Sequence, residues 1–153
     1  DVVNSVLNTK IVNDIPIRVI STRIESISKF TKNYDFKIFL ANYKRINNII
    51  KSENFLNNTV SKVNIKFFNT VEEENIYNLT ELFSKEIIKK GNCDKSQDIL
   101  VSFLIKMNEP ISLFFNKVIV NHNDRNIKIN RLMLLKNLHS LILKFSIFEL
   151  IEN

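Results

Sequence analysis

A single glycine, Gly91, and two prolines among 153 residues leave this chain little material for tight turns. Short hairpin loops depend on glycine at defined positions, so a sheet built from hairpins is disfavoured. Apolar residues instead recur every three or four positions along most of the chain, which is the period of an amphipathic helix. The sequence therefore predicts an all-α fold, a single bundle of about five or six helices over residues 1–153.

Several helix ends can be placed from capping patterns. Pro16 is suited to open one helix, and Asn33 or Asp35 is a plausible N-cap of the next. Thr70-Val-Glu-Glu73 fits a capping box, and Gly91 is expected to end the helix that follows. The three acidic residues 72–74 are explained by that helix start rather than by metal binding.

Further along the chain, Asp94-x-x-Gln97 fits the cap of another helix, and Pro110 restarts or kinks the path after it. Residues 54–69 break the periodicity and predict a connecting loop. The residues predicted to be buried include Ile17, Ile20, Ile24, Ile27, Phe30, Val63, Ile65, Phe67, Ile76, Leu79, Leu82, Phe83, Ile87, Leu132, Leu135, Leu138, either Leu141 or Ile142, and Phe145.

The net charge of +6 is unevenly distributed. Residues 10–51 contain nine basic and three acidic side chains, and residues 117–144 contain six basic and one acidic. Residues 72–109 between them hold eight acids and five bases. Two basic ends around an acidic middle predict one face that attracts an anion, although an ordinary solvated surface with a lysine excess fits the same counts.

The sequence offers no set of catalytic or metal-binding residues. With one glycine there is no phosphate-binding loop, and Cys93 with two histidines supplies no ligand set. His122 is assigned to a polar turn and His139 to the solvent side of the last helix. We therefore expect neither an active site nor a cofactor in this chain.

The cysteine content, the hydropathy and the first residue of the chain bear on its cellular localisation. A lone cysteine fits a reducing cytoplasm, and no apolar run approaches the roughly 20 residues that cross a bilayer. We expect no signal peptide, because the N-terminus has neither a basic start nor a small-residue cleavage site, and the first residue, Asp1, suggests a fragment of a longer protein.

Two basic segments are candidates for binding RNA. Lys44 and Asn48, one helical turn apart, share an exposed stripe that can include Lys51, and Arg45 lies beside them. Arginine stacks on unpaired bases and contacts their edges in bidentate fashion, and asparagine also reads edges.

The second segment opens the last helix. Arg125, Lys128 and Arg131 step by three and are expected to share a face, where the helix start also offers backbone N–H groups to an anion. Arg45 or Arg131 can equally pair with Asp124 or Asp35 and hold helices together.

Three segments resemble a known family. Residues 124–138 fit D-x-x-x-x-x-N-R-L-x-L-L-x-x-L, residues 43–49 are close to N-K-R-V-x-N-I, and residues 110–120 are close to P-V-D-x-F-F-D-x-V-M-V. These patterns occur in the same order and at comparable spacing in the bacterial glycyl-tRNA synthetase beta subunit. The chain therefore resembles the C-terminal domain of that family along essentially its whole length.

This resemblance implies an all-helical anticodon-binding domain of the DALR type, also found in arginyl-tRNA synthetase. It implies that the partners are the tRNA(Gly) anticodon loop, the rest of the beta subunit and the alpha subunit, in an alpha2-beta2 glycine–tRNA ligase. The parent enzyme uses ATP at an adenylation site on the alpha subunit, so no catalytic residue is carried over. Anticodon recognition is carried over to the two basic segments, at Lys44, Arg45, Asn48, Arg125, Lys128 and Arg131.

The sequence departs from the family pattern in two places. Tyr43 stands where asparagine is usual, which removes a possible polar contact, and Ser146-Ile147-Phe148 replaces A-D-I, which concerns packing. Two other functions are compatible with the charge pattern. One is a helical protein-interaction domain that docks an acidic partner. The other is a DNA-binding module, disfavoured because no helix combines several arginines with base-reading neighbours.

Overall fold

The computed structural model describes residues 1–10, 12–55 and 62–151, and every regular element in these ranges is helical, which confirms the all-α prediction. Within them, six helices of ten residues or more follow a six-residue first helix. No helix of the described ranges is long and apolar enough to cross a membrane. The α-helices are Val2–Leu7 (α1), Ile17–Thr31 (α2), Tyr34–Ser52 (α3), Val71–Lys90 (α4), Gln97–Lys106 (α5), Asn108–Lys117 (α6) and Arg125–Leu143 (α7), and 3-10 turns cover Val12–Asp14, Ile65–Phe67, Asp94–Ser96 and Phe148–Leu150.

Helix α7 lies at the centre of the bundle and packs against both α3 and α4. The leucines predicted to be buried, Leu132, Leu135, Leu138 and Leu141, are buried, and Phe145 just beyond the helix is 1 % exposed. The assignment of His139 to the solvent side is wrong, because this residue is 3 % exposed and its ring stacks on Tyr43 at 5.3 Å between centroids. A helix enclosed by neighbours buries most of its circumference, so its polar residues do not mark a solvent face.

Three predicted helix ends are confirmed. Asn33 caps α3, where its side chain accepts a hydrogen bond from the Asp35 N–H at 3.0 Å. Thr70 and Glu73 form the capping box of α4. Gly91 ends that helix in a right-handed conformation with φ of −59°, and a Cβ atom there would collide with the carbonyl oxygen of Ile87.

The predicted cap of α5 is wrong. Asp94 begins a 3-10 turn instead, and its carboxylate pairs with Arg18 of α2 at 3.2 Å. The Gln97 side chain turns inward, where its oxygen accepts a hydrogen bond from Arg23 Nε at 2.9 Å. The Gln97 side-chain amide therefore bonds the buried Arg23 and is not available to cap the start of α5.

Some residues predicted to be buried are exposed. Val63 packs against the core, but Ile65 is 63 % exposed and Phe67 is 36 % exposed, and residues 56–61 of the predicted loop lie outside the described residues. Ile17 at the start of α2 and Leu82 in α4 also face outward, at 73 % and 53 % exposure. Periodicity alone places these residues at the margins of an apolar stripe, where tertiary packing decides their burial.

Candidate nucleic-acid interface

The second half of α3 presents the first basic segment. Lys44, Arg45 and Asn48 are exposed, while Tyr43 and Ile46 on the opposite side are buried. Among the described residues, none forms a hydrogen bond or ion pair with the side chain of Lys44 or Asn48. Both side chains are therefore open to a ligand, as predicted.

Two neighbours on the same helix turn away from this stripe. Lys51 pairs with Glu149 at 3.1 Å, and Asn47 donates a hydrogen bond to the same carboxylate. Tyr43 shares this acceptor, with its hydroxyl 3.5 Å from Glu149, so the residue that replaces the family's asparagine has a polar partner inside the domain. Burial, followed by the negative charge of Glu149, raises the pKa of Tyr43 and keeps its hydroxyl protonated.

Arg45 is held by an aromatic ring rather than by a carboxylate. Its guanidinium carbon lies 4.2 Å from the centre of the Phe115 ring, which is itself buried in α6. No described residue accepts a hydrogen bond from this guanidinium, so neither Asp35 nor Asp124 pins it. Cation–π contact fixes the position of the group and leaves its N–H donors unused.

The start of α7 presents only part of the second basic segment. Arg125 is exposed at the first helical position, and Lys128 is half-buried with its ammonium group 2.7 Å from Glu53 at the end of α3. The Asp124 carboxylate accepts hydrogen bonds from the N–H groups of Asn126 and Ile127 at 2.8 and 3.3 Å. The expectation that this helix start offers those N–H groups to an anion is therefore wrong.

Arg131 does not share the exposed face of Arg125 and Lys128. It is 4 % exposed, with Nε 2.8 Å from one oxygen of Glu73 and Nη2 3.4 Å from the other. Its Nη1 donates a third hydrogen bond to the Ile119 carbonyl at 2.9 Å. The partner is thus neither Asp124 nor Asp35, and the position of Arg131 in the core favours a structural role.

Glu73 is fully buried and is ionised because its partners outweigh the cost of burial. Burial raises the pKa of this carboxyl, but hydrogen bonds from Arg131, Asn69 and Thr70, together with the charge of Arg131, bring it below its usual value. The same carboxylate accepts the N–H groups of Asn69 and Thr70 at 2.9 and 3.0 Å. One side chain therefore caps α4 and anchors α7.

A groove of about 390 Å³ is lined by residues from two of the three resembling segments, 43–49 and 110–120. It runs between the second half of α3 and the connection from α6 to α7. Lys128 does not line the groove but forms an ion pair with Glu53, which does. The groove is lined by Arg45, Ile49, Ser52, Glu53, Phe115, Val118, Ile119, Val120 and Asn121. Residues distant in the sequence thus form one basic region with a concave centre.

Two residues of this region escape sequence reasoning. Glu53 is a single acid at the end of a helix, and nothing in the local pattern indicates that Lys128 will reach it. Phe115 looks like any core aromatic until α6 places it beneath Arg45. The described part of the chain contains no group of three or more metal-ligating side chains.

Comparison with known proteins supports the observed helical architecture. Residues 39–147 match the DALR anticodon binding domain, a range that contains all six predicted site residues. The chain is 33 % identical over 128 residues to the glycine–tRNA ligase beta subunit of Thermodesulfovibrio yellowstonii, an alignment that covers 83 % of this chain and 18 % of that protein. It is 31 % identical over 147 residues to the same subunit of Rickettsia bellii, covering 96 % of this chain and 20 % of that protein.

A third relative extends the same similarity to nearly the full chain. The glycine–tRNA ligase beta subunit of Buchnera aphidicola subsp. Schizaphis graminum is 31 % identical over 148 residues, which cover 97 % of this chain and 20 % of that subunit. The chain therefore spans about a fifth of the length of the curated relatives it matches. On the match over residues 39–147, the chain belongs to the DALR anticodon binding domain family.

Proposed function

We propose that this chain binds the anticodon loop of tRNA(Gly) as a domain of a glycine–tRNA ligase beta subunit. The observation that carries the proposal is the family match over residues 39–147, within which two of the three motif segments line a groove that contains Arg45. The similarity to glycine–tRNA ligase beta subunits supports the choice of tRNA.

The exposed cations divide into two roles by their surroundings. Lys44 and Arg125 have no partner among the described residues and are suited to contact phosphates, which position an RNA without reading its sequence. Arg45 and Asn48 stand at the groove and are suited to contact bases. The Lys128 ammonium group can also contact a phosphate while it remains bonded to Glu53. Arg131 acts through the core, as a positioning residue.

The chemistry of aminoacylation is assigned to the rest of the enzyme. In this proposal the alpha subunit uses ATP to activate glycine, and the chain supports that reaction within an alpha2-beta2 assembly in the cytoplasm. The chain itself supplies RNA recognition and binds no cofactor. ATP–pyrophosphate exchange with glycine is expected to give no signal from this chain alone.

Binding to three nucleic acids tests the proposal. The 153-residue chain should retain tRNA(Gly) on filters more strongly than the same tRNA with a replaced anticodon, and more strongly than duplex DNA of equal length. Lys44→Ala and Arg125→Ala should each weaken binding and lower the salt dependence by about 0.7 to 1 unit of slope. Lys85→Ala, which removes an equally exposed charge from α4, is the matched control.

Two results would contradict the proposal. Equal binding of both tRNAs would remove anticodon recognition and favour a domain that docks an acidic protein partner. Tighter binding of duplex DNA would favour a DNA-binding module.

A further inference from the structure

We propose that the groove between α3 and the α6–α7 connection is a pocket for one unpaired nucleobase that carries an exocyclic amino group. The base contacts the guanidinium of Arg45 and donates a hydrogen bond to Glu53. This assignment rests on the proposed RNA function and adds the position and chemical class of the base. The groove's volume of about 390 Å³ lies within the usual range for small-ligand pockets, about 300–1,000 Å³.

Arg45 provides a platform for the base. Its guanidinium is held 4.2 Å above the Phe115 ring and lines the groove without a hydrogen-bond partner among the described residues. Single-stranded RNA is recognised by stacking its splayed bases on aromatic rings and arginine planes. Because the ring below already fixes the group, little side-chain freedom is lost when a base is bound.

Glu53 provides the hydrogen-bonding specificity. Its Oε2 accepts a hydrogen bond from the Lys128 ammonium at 2.7 Å, while the described residues supply no donor to its Oε1. The side chain is about one-third exposed and lines the groove. An ionised carboxylate only accepts hydrogen bonds, so it favours the amino groups of cytosine, adenine or guanine over the carbonyl edge of uracil.

The opposite wall of the groove is apolar and fixed. Ile119 is 73 % exposed, and Val118 beside it is buried. The Ile119 carbonyl is anchored by Arg131 Nη1 at 2.9 Å, and Arg131 is itself locked to Glu73. An exposed isoleucine on a rigid wall gives the flat side of a base an apolar surface to cover, and the buried ion pair holds that surface in place.

The test uses the 153-residue chain and the anticodon stem-loop of tRNA(Gly), with each loop base other than uracil replaced in turn by uracil. Uracil at one position should weaken binding about tenfold, the usual scale for a lost base-edge contact. Glu53→Gln should abolish this discrimination at that position only, because an amide can also donate to uracil. Arg45→Lys keeps the charge and should lower affinity for all loops about tenfold with an unchanged salt slope.

Lys128→Gln is the matched control. It breaks the same ion pair as Glu53→Gln, so both variants should share any loss of thermal stability. Because Lys128 is also a proposed phosphate contact, Lys128→Gln should weaken binding to every loop alike, but it keeps the carboxylate and should keep the discrimination against uracil. Full discrimination in Glu53→Gln, or parental affinity in Arg45→Lys, overturns the pocket while tRNA binding by the parent chain stands. A chain without anticodon preference overturns the proposed function and the pocket together.

Discussion

Replacing Arg131 by methionine would measure how much the buried ion pair between α7 and α4 contributes to stability. The side chains of Arg131 and Glu73 are 5 % and 0 % exposed, so the substitution leaves a carboxylate without its cation inside the domain. Breaking a buried pair from one side costs about 3–5 kcal/mol. Because Asn69 and Thr70 still donate to Glu73, we expect the lower end, about 3 kcal/mol, and a melting temperature lower by about 6–12 °C.

Urea unfolding followed by circular dichroism measures this loss. Arg131→Met, Glu73→Gln and the double variant complete a cycle whose coupling energy should lie between about 0.5 and 3 kcal/mol. A matched control stands one position earlier on α4, where Glu72 pairs with the exposed Lys117 at 2.7 Å. Lys117→Met breaks a pair of similar geometry at the surface and should cost no more than about 1 kcal/mol.

The structural role of Arg131 would be refuted by a variant of normal stability. If Arg131→Met unfolds within about 1 kcal/mol of the parent chain, the pair does not stabilise the fold as its burial indicates. Normal stability combined with a lost anticodon preference would assign Arg131 to direct base contact instead.

Two further perturbations probe polar groups of the core. Burial, assisted by Lys51 and opposed by Glu149, lowers the pKa of His139 from 6.5. The unfolded chain therefore takes up a proton below about pH 6.5 that the folded chain does not, and stability should fall with pH by at most about 1.4 kcal/mol per unit. The melting temperature of His139→Phe should therefore depend less on pH than that of the parent chain, and equal pH dependence of the two would contradict this reasoning. Thr70→Ala removes the cap of α4 and should cost about 1 kcal/mol in urea unfolding, whereas an unchanged midpoint would show that the cap contributes nothing.

Helix positions were predictable because local chemistry determines them. Asn33 and Thr70 cap the helices that follow through bonds within their own turn, and the apolar period fixes the buried faces. Asp94 failed as a cap because its best partner, Arg18, is distant in sequence and near in space. The exposure of Ile17 likewise depends on which other helices pack against α2, and the periodic pattern of apolar residues does not indicate those neighbours.

For the candidate site, only the exposure of the residues on α3 could be predicted from the sequence. Lys44, Arg45 and Asn48 alternate with buried residues on a regular helix, so their shared exposure follows from the sequence. Helical spacing wrongly predicted that Arg131 would be exposed. Because α7 lies inside the bundle, the series Arg125, Lys128 and Arg131, spaced by three residues, runs from the surface into the core. Glu53 was missed because its contact with Lys128 joins the end of one helix to the start of another.

Helix α7 links the stability of the core to the geometry of the proposed interface. Its three buried polar residues each contact a different neighbour: Asn130 bonds the backbone of Asn64, Arg131 bonds Glu73 and the Ile119 carbonyl, and His139 stacks on Tyr43. Its first turn presents Arg125 and Lys128, and Lys128 is paired with Glu53 of the groove wall. Lys128 and the Ile119 wall of the groove are therefore positioned by the same helix, so in the proposed interface the spacing between phosphate contact and base pocket is set before RNA arrives. A ligand that finds both in place loses less entropy on binding, so the buried contacts of α7 would support the proposed recognition without touching RNA.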